Sequence, residues 1–235
     1  MTRPVLLNNL DHRDLRVETA RGATLGDAVM SALTFPGEFR SVQAHYPIVF
    51  QKDARGAFQP VALFGLQAGQ NLFLDGTRWD AHYLPLAVER QPFLIGLEGD
   101  ARMVHIDLDH PRVRHDGTGQ ALFRTHGGTT DYLDHVNAVL QALDAGLAQV
   151  PAFVEALLAY GLLESFVLDY QHRDGSQQRL SGFYTVHEER LAALEPAALQ
   201  ALATAGHLLP LYMTVASLSQ FRPLIERARH AAAHA

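Results

Sequence analysis

Two apolar runs separated by a polar turn form the strongest structural signal in the chain. Pro47 to Phe50 is rich in β-branched and aromatic residues, and Phe58 to Leu66 is a second run of this kind. Residues 53–56 lie between them and carry aspartate and glycine, which favour turns. The pattern predicts a β-hairpin. Because Pro60 has no amide proton, its strand is expected to begin nearby or to lie at a sheet edge.

Further strands are predicted on both sides of this hairpin. A turn at Asp75-Gly76 leads into Trp79, the only tryptophan. The Asp174-Gly175 step is typical of a tight hairpin turn. The other predicted strands are Pro4–Leu7, Asp14–Val17, the pair Pro92–Leu97 and Met103–Leu108, and the pair Leu163–Tyr170 and Gln177–Val186.

The pattern changes to helical spacing after Thr130. Thr130 is a suitable N-cap, and apolar residues at intervals of three and four predict a helix that runs to about Leu147. A second helix is predicted from about Pro151, with Gly161 as its stop. The remaining predicted helices are Gly37–His45, Tyr83–Arg90, Glu188–Leu194, Pro196–Thr204 and Leu208 to about Ala228.

These elements predict an α+β fold. Its N-terminal half is expected to be antiparallel, β-rich and built from hairpins, packed with helices that come mainly from the C-terminal half. No internal repeat and no linker rich in proline, glycine or serine divides the sequence. Residues 1–235 are therefore expected to form a single domain.

Composition and charge argue against nucleic-acid, secretory and membrane roles for this protein. The hydrophobic fraction of 48% is ordinary for a protein with a core, and the formal charge is −6 with basic residues scattered singly. That distribution argues against a nucleic-acid-binding surface. The N-terminus lacks the apolar core of a secretory signal, so a cytoplasmic location is expected. The apolar run from His207 to Leu218 is about half of the roughly 20 residues that a membrane span needs, so no membrane association is expected.

Residues 109–130 are expected to form a loop-like, exposed region. They are rich in glycine, histidine and threonine and show little periodicity. His110, His115 and His126 lie in this region and are expected to be exposed and to titrate near pH 6 to 7.

An aromatic group around Trp79 is the main candidate for a binding site. Flat apolar rings with polar tips suit stacking against a sugar, an indole or a peptide side chain. Aromatic residues on short strands also fill cores, so a structural role for Trp79 is the alternative. The aromatic residues are Tyr46, Phe50, Phe73, Trp79, Tyr83 and Phe93; the predicted ligand-binding residues are Asp75, Arg78, Trp79, Asp80 and Tyr83.

A second candidate is a metal site. His105 and Asp107 have the spacing found in facial-triad iron oxygenases, with His172 or His187 as a third ligand. Such a spacing also arises easily in a chain with 13 histidines, where it marks only a strand with alternate residues facing solvent. The sequence lacks cysteine, a Gly-x-Ser-x-Gly elbow and a phosphate-binding glycine fingerprint. No catalytic residue, cofactor or metal is therefore assigned.

Four sequence blocks together carry a family resemblance. They are HYPIVF at 45–50, PVALFGL at 60–66, QNLFLDGTRWDAHYLP at 70–85 and LSGFYTVHEERLAAL at 180–194. Their order and spacing resemble those of the SapC family of bacterial proteins over nearly the whole chain. The resemblance implies an association with a bacterial surface layer. It also implies an accessory role beside flavin-dependent halogenase-like enzymes, cupin-like proteins and TonB-dependent uptake.

The resulting functional hypothesis is a non-catalytic accessory or binding protein. It is expected to recognise a protein partner or a small ligand through the surface around residues 70 to 93. Two alternatives stand beside it. One is an iron-dependent oxygenase that uses His105 and Asp107, and the other is a structural component of a surface layer. The sequence does not indicate an oligomeric state.

Overall fold

A computed structural model of the chain describes residues 2–99, 101–171 and 175–231. The strands in chain order are β1 Pro4–Leu6, β2 Arg16–Val17, β3 Ser31–Leu33, β4 Ile48–Lys52, β5 Phe58–Leu63, β6 Leu74–Asp75, β7 Arg78–Trp79, β8 Phe93–Glu98, β9 Ala101–Asp107, β10 Val113–Arg114, β11 Gln120–Ala121, β12 Leu163–Gln171 and β13 Gln177–Val186. The helices are α1 Phe39–Val42, α2 Leu86–Glu89, α3 Asp131–Leu147, α4 Val150–Ala159, α5 Glu188–Ala192, α6 Pro196–Thr204, α7 Leu208–Ser217 and α8 Phe221–Ala231. The mixed α+β class is confirmed, with antiparallel sheets mostly in the N-terminal half and helices mainly in the C-terminal half.

The chain groups into two compact units, each made of three segments. Unit 1 contains Met1–Ala28, Leu74–Asp80 and Leu86–Ala145. Unit 2 contains Val29–Phe73, Ala81–Pro85 and Gly146–Ala235. Whether the two units fold as a single domain stays a prediction.

Unit 1 holds small antiparallel sheets and most of α3. Its sheets have the strand orders β1-β9-β8, β10-β2-β11 and β6-β7. The backbone amide of Leu133 donates to the Thr130 hydroxyl at 3.3 Å, so the predicted N-cap of α3 is confirmed. The apolar face of α3 contributes to a core formed by Leu15, Val17, Phe93, Ile106, Val113, Leu122, Leu133, Val136 and Leu140.

Unit 2 is built on one antiparallel sheet with the strand order β12-β13-β4-β5-β3. The two predicted hairpins, β4-β5 and β12-β13, are confirmed, although residues 172–174 of the second turn lie outside the described residues. Pro60 is the third residue of β5, whose start was predicted correctly, but β5 is an interior strand rather than an edge strand. Proline is tolerated at this interior position because β3 ends at Leu33, so the β3–β5 ladder does not need an amide proton from Pro60. The Pro60 carbonyl still accepts a hydrogen bond from the Thr34 amide at 3.1 Å.

The helix predicted from Leu208 to about Ala228 is broken in the structure. It ends as α7 at Ser217, continues as a 3₁₀ turn over Leu218–Gln220 and resumes as α8. The Ser217 hydroxyl donates to the Thr214 carbonyl at 2.6 Å and accepts from the Ile48 amide at 2.9 Å. A serine that bonds to the carbonyl of the preceding turn competes with helical pairing, which explains a bend at this point.

One helical stretch is long and apolar enough to cross a membrane when judged by length and composition alone. Among the described residues this stretch is 131–159, with a mean hydropathy of 1.4 and 33% of its window buried. The pair Pro196–Thr204 and Leu208–Ala231 reaches the same threshold only as a single span bent by 99°. Leu133, Val136 and Leu140 of the first stretch lie in the core of unit 1. The expectation of no membrane association stays a prediction.

Candidate functional site

The Trp79 segment forms a small hairpin in unit 1. Asp75 pairs with Arg78 across β6 and β7, and the Arg78 guanidinium donates to the Asp75 carboxylate at 2.9 Å. Both side chains are exposed, so this ion pair contributes at most about 1 kcal/mol. The Trp79 side chain is only 8% exposed. Its ring is therefore packed rather than presented as an open stacking platform, while the neighbouring Asp80 is exposed.

Tyr83 belongs to unit 2 and takes part in a different network. Its hydroxyl donates to the Glu38 carboxylate at 2.9 Å, and the Thr34 hydroxyl donates to the same carboxylate at 2.6 Å. Tyr46 is fully buried, and its hydroxyl donates to the Tyr83 carbonyl. The structure thus gathers Asp75, Arg78, Trp79 and Asp80 in one unit and assigns Tyr83 to the other. The binding role of these five residues stays a prediction.

The His105 and Asp107 side chains have local partners in unit 1. The Asp107 carboxylate accepts from the backbone amides of Arg3 at 2.8 Å and Asp109 at 3.2 Å. The His105 Nδ1 atom lies 3.2 Å from the Met103 carbonyl oxygen. Asp107 is buried, which corrects the expectation that the alternate residues of this strand face solvent.

The proposed third ligands do not complete a metal site in the described part of the chain. His172 lies outside the described residues, and the His187 Nδ1 atom accepts from the Arg190 amide at 3.4 Å as the N-cap of α5. Across residues 2–99, 101–171 and 175–231, no group of three or more histidine, aspartate or glutamate side chains is placed to hold a metal ion.

The region between residues 109 and 130 is less exposed than its composition suggests. Arg112 is 1% exposed and Val113 and Leu122 are buried, while His110 is half-buried. Only His115 and His126 are exposed as expected. The prediction fails because short β10 and β11 pair with the distant β2, which covers this segment.

Half-burial gives His110 a pH-dependent contribution to stability. Burial and then the Arg112 guanidinium lower the pKa of His110 below its ordinary value of 6.5, and its Nδ1 accepts from the Arg112 amide at 3.2 Å. A group with a depressed folded-state pKa contributes stability that is present above its unfolded pKa and lost as the pH falls through its folded pKa.

The free energy of unfolding is therefore expected to decrease as the pH falls from 7 toward 5. A His110→Gln variant should show a smaller decrease over the same interval. Urea unfolding curves at a series of pH values measure both quantities. His115→Gln, at an exposed position, serves as the control and should keep the wild-type pH dependence. An identical pH dependence in the His110→Gln variant would contradict the assignment.

An open, mostly apolar cleft lies within unit 2. Its volume is about 550 Å³. Its walls, here called the β5–α4 cleft, are Leu33, Thr34, Lys52, Gly56, Ala57, Phe58, Gln59, Pro60, Leu147, Val150, Pro151, Val154, Glu155 and Leu158. None of the predicted ligand-binding residues from 75 to 83 is among them.

Two features, one of strand pairing and one of helix sequence, open this cleft. Strand β3 pairs with β5 only as far as Leu33 opposite Val61, so Phe58 and Gln59 pair with β4 alone. Helix α4 carries one broad apolar stripe: Phe153 and Leu157 are fully buried, Val150 and Val154 beside them are also buried, and Leu158, which is 51% exposed, continues the stripe along the cleft wall. The sequence VPAFVEALLA contains this signal, which was not interpreted as a site.

Two charges lie among the cleft's otherwise mostly apolar walls. The Lys52 ammonium lies 5.0 Å from the centre of the Phe58 ring and 5.2 Å from that of Tyr184. Such cation–π contacts favour this position of the ammonium by about 0.5–1 kcal/mol at an exposed site and leave its N–H groups available. Glu155 is exposed on α4. The arrangement suits an apolar molecule that carries a single polar group.

Comparison with protein-family models identifies one family for this chain. A family model described as SapC matches residues 7–224. No curated protein and no solved structure matches the chain.

Proposed function

This chain belongs to the SapC family, and we propose that it is a binding protein that holds a small apolar molecule with an acidic group in the β5–α4 cleft. The observation that carries the proposal is the apolar wall that α4 presents through Val150, Val154 and Leu158 beside an open volume of about 550 Å³. Ligand pockets typically have volumes of roughly 300–1,000 Å³ and mostly apolar walls.

The polar side chains in the cleft walls leave apolar contact as the main source of binding energy. The Thr34 hydroxyl donates to the buried Glu38 carboxylate, and the Gln59 amide donates to Asp53 at 3.4 Å. These polar walls are therefore already engaged within the protein. Binding energy would come mainly from burying apolar ligand surface, at about 25 cal/mol for each Å² removed from water.

Lys52 supplies the polar selectivity of the proposed site. It is the only lysine in the chain, and its ammonium lies beside the rings of Phe58 and Tyr184. An acidic group on the ligand would form a charge-assisted hydrogen bond with the ammonium. The exposed Glu155 would repel that group, so the acid is expected to sit on the Lys52 side of the cleft.

Three probes with the same ring system test the proposal: naphthylacetate, naphthylethanol and naphthylethylammonium. Titration calorimetry is expected to show binding of the acid and the alcohol, with the acid the tightest and the ammonium the weakest. A Lys52→Met variant should remove the advantage of the acid over the alcohol. If none of the three binds, or if the ammonium binds tightest, the proposed function is wrong.

A matched pair of leucine variants locates the site. Leu158 is 51% exposed on the cleft side of α4, and Leu209 is 57% exposed on α7 outside the cleft. Leu158→Gln removes apolar wall area equivalent to about 1 kcal/mol and should weaken naphthylacetate binding about fivefold. Leu209→Gln should leave the dissociation constant unchanged. An Arg78→Gln variant tests the alternative surface around residues 70 to 93, and a loss of binding in that variant alone would place the site there.

A further inference from the structure

The β5–α4 cleft lies beside a short length of strand edge that no other strand covers. Strand β5 pairs with β4 from Phe58 to Ala62, whereas β3 pairs with β5 only over Ser31–Leu33. After β3 the chain leaves the sheet through a turn, in which the Glu38 amide donates to the Phe35 carbonyl at 2.9 Å. The first residues of β5 therefore have a strand on one side only.

Strand β4 exchanges hydrogen bonds with the odd-numbered residues of β5. The Leu63 amide donates to the Pro47 carbonyl at 3.0 Å. At the other end of the hairpin, the Asp53 amide donates to the Ala57 carbonyl at 2.9 Å. Residues of a strand between two antiparallel neighbours bond to them alternately, so Gln59 also faces β4.

The even-numbered residues of β5 face the β3 side. The Phe64 amide donates to the Met30 carbonyl at 2.7 Å, and the Pro60 carbonyl accepts from the Thr34 amide. Phe58 is the next even-numbered residue, so its N–H and C=O point to the side where β3 has already ended. Outside the β4–β5 ladder, none of the described residues bonds to either group. Since Phe58 lines the cleft, this leaves one backbone donor and one backbone acceptor at its edge.

A positive charge lies beside this donor and acceptor. Lys52 is directly opposite Phe58 in the hairpin, and cross-strand neighbours project from the same face of a sheet. Lys52 is exposed and forms no salt bridge with any described residue. The other charged wall residue is Glu155 on α4, while Asp53 and Arg55 in the adjoining turn carry opposite charges and are not among the walls. An anionic group therefore has its partner at the Phe58 end of the cleft.

We propose that the ligand of the β5–α4 cleft is an N-acylated apolar α-amino acid, either free or as the last residue of a peptide. This inference rests on the proposed function and specifies the groups next to the acid. The ligand amide N–H would donate to the Phe58 carbonyl, and the carboxylate would accept from the Phe58 N–H and the Lys52 ammonium. The ligand would thus extend the pairing that β3 makes farther along β5, as peptides do when they add to an open strand edge.

The cleft is large enough for such a ligand. Its volume of about 550 Å³ corresponds to about 18 water-sized groups at about 30 Å³ each, and N-acetylphenylalanine has about 15 non-hydrogen atoms. The apolar side chain would lie against Val150, Val154 and Leu158 of α4. A simple aromatic acid such as naphthylacetate also reaches these walls and Lys52, but it offers no donor to the Phe58 carbonyl. The acylamino group is therefore the feature that separates the two classes of ligand.

Titration calorimetry of the full chain with three acids tests the inference: N-acetyl-L-phenylalanine, 3-phenylpropanoate and N-acetyl-N-methyl-L-phenylalanine. The first is expected to bind at least about fivefold more tightly than 3-phenylpropanoate, because its amide makes one additional hydrogen bond. N-methylation removes the donor and should abolish that advantage. If 3-phenylpropanoate or the N-methyl compound binds as tightly as N-acetyl-L-phenylalanine, the inference is overturned.

A lysine variant tests the carboxylate contact. Lys52→Met should weaken binding of N-acetyl-L-phenylalanine at least about fivefold and leave binding of its methyl ester unchanged, because only the acid carries a charge for the ammonium. Arg55→Met removes another exposed cation from the same hairpin, outside the cleft walls, and is the matched control that should bind normally. An equal loss for the acid and the ester in Lys52→Met would contradict this contact.

Amide hydrogen exchange measured by NMR tests the backbone contact. Saturation with N-acetyl-L-phenylalanine should slow exchange of the Phe58 amide at least about tenfold, since that N–H gains an acceptor. The Gln59 amide faces β4 and should keep its exchange rate. An unchanged rate at Phe58 with the ligand bound would overturn the assigned pairing.

Two further comparisons complete the test. An N-acetylated tetrapeptide that ends in phenylalanine assigns the site to a peptide C-terminus if it binds at least as tightly as N-acetyl-L-phenylalanine, and to a free acylated amino acid if it binds more weakly. Naphthylacetate separates this inference from the proposed function. If naphthylacetate binds and the acylamino group adds no affinity, this inference alone is wrong; if none of the acids binds, both are wrong.

Discussion

Replacing Arg112 by methionine is expected to lower the free energy of unfolding by about 3–5 kcal/mol, because the change removes the closer of the two guanidinium groups that pair with the buried Asp27 charge and leaves only Arg21 at 3.6 Å. Asp27 is fully buried, and the Arg112 guanidinium donates to it at 2.6 Å. The same side chain bonds to the carbonyls of Glu18 and Ala20, which would lose their donors as well. Urea unfolding monitored by circular dichroism measures the change.

Two further variants establish the cause of that loss. Arg124→Met breaks an exposed ion pair whose side chains are 60% and 95% accessible, and it should cost at most about 1 kcal/mol. Adding Asp27→Asn to Arg112→Met removes the buried charge that Arg21 alone then faces, and should recover at least about 1 kcal/mol. A loss below 1 kcal/mol in Arg112→Met would show that the buried pair does not stabilise unit 1.

Gly146→Ala is expected to destabilise the protein by about 1–3 kcal/mol, which reverses the usual effect of this substitution in a helix. Alanine has the higher helix propensity, by roughly 1 kcal/mol, so sequence alone predicts a gain. In the structure a Cβ atom at position 146 would overlap the ring of Phe35, which is itself buried. Overpacking therefore outweighs propensity, and thermal unfolding measures the result.

A double-mutant cycle with Phe35→Leu isolates the steric cause. The smaller side chain leaves room for the added methyl group, so Gly146→Ala should cost at least 1 kcal/mol less in the Phe35→Leu background. If alanine at position 146 stabilises the wild-type protein, the close packing of Phe35 on α3 is not present in solution.

Local sequence signals were sufficient to predict most of the fold. The Thr130 cap, the helical spacing through Leu147 and the turns of the two hairpins act within a few residues of one another. The elements they predict appear with only small shifts at their ends. The break after Ser217 was missed because the Ser217 hydroxyl, which bonds to the Thr214 carbonyl, also accepts from the amide of Ile48, 169 positions away.

The buried ion pair and the candidate site depend on contacts that no local pattern contains. Arg112 and Asp27 are 85 positions apart, and nothing in the glycine-rich region around Arg112 indicates burial. The β5–α4 cleft arises because β3 ends at Leu33 and the apolar stripe of α4 extends to the exposed Leu158. The residues of α4 are visible in the sequence, but the position where β3 stops is set by tertiary pairing. Sequence reasoning therefore selected the aromatic segment around Trp79, whose ring is packed.

The most direct test of the β5–α4 cleft is methyl NMR of the protein titrated with naphthylacetate. Binding in the cleft predicts progressive shifts in the methyl signals of Leu33, Val150, Val154 and Leu158, with the signal of Leu209 unchanged. Shifts confined to methyl groups outside the cleft walls, or no shifts at millimolar probe, would contradict the proposed function.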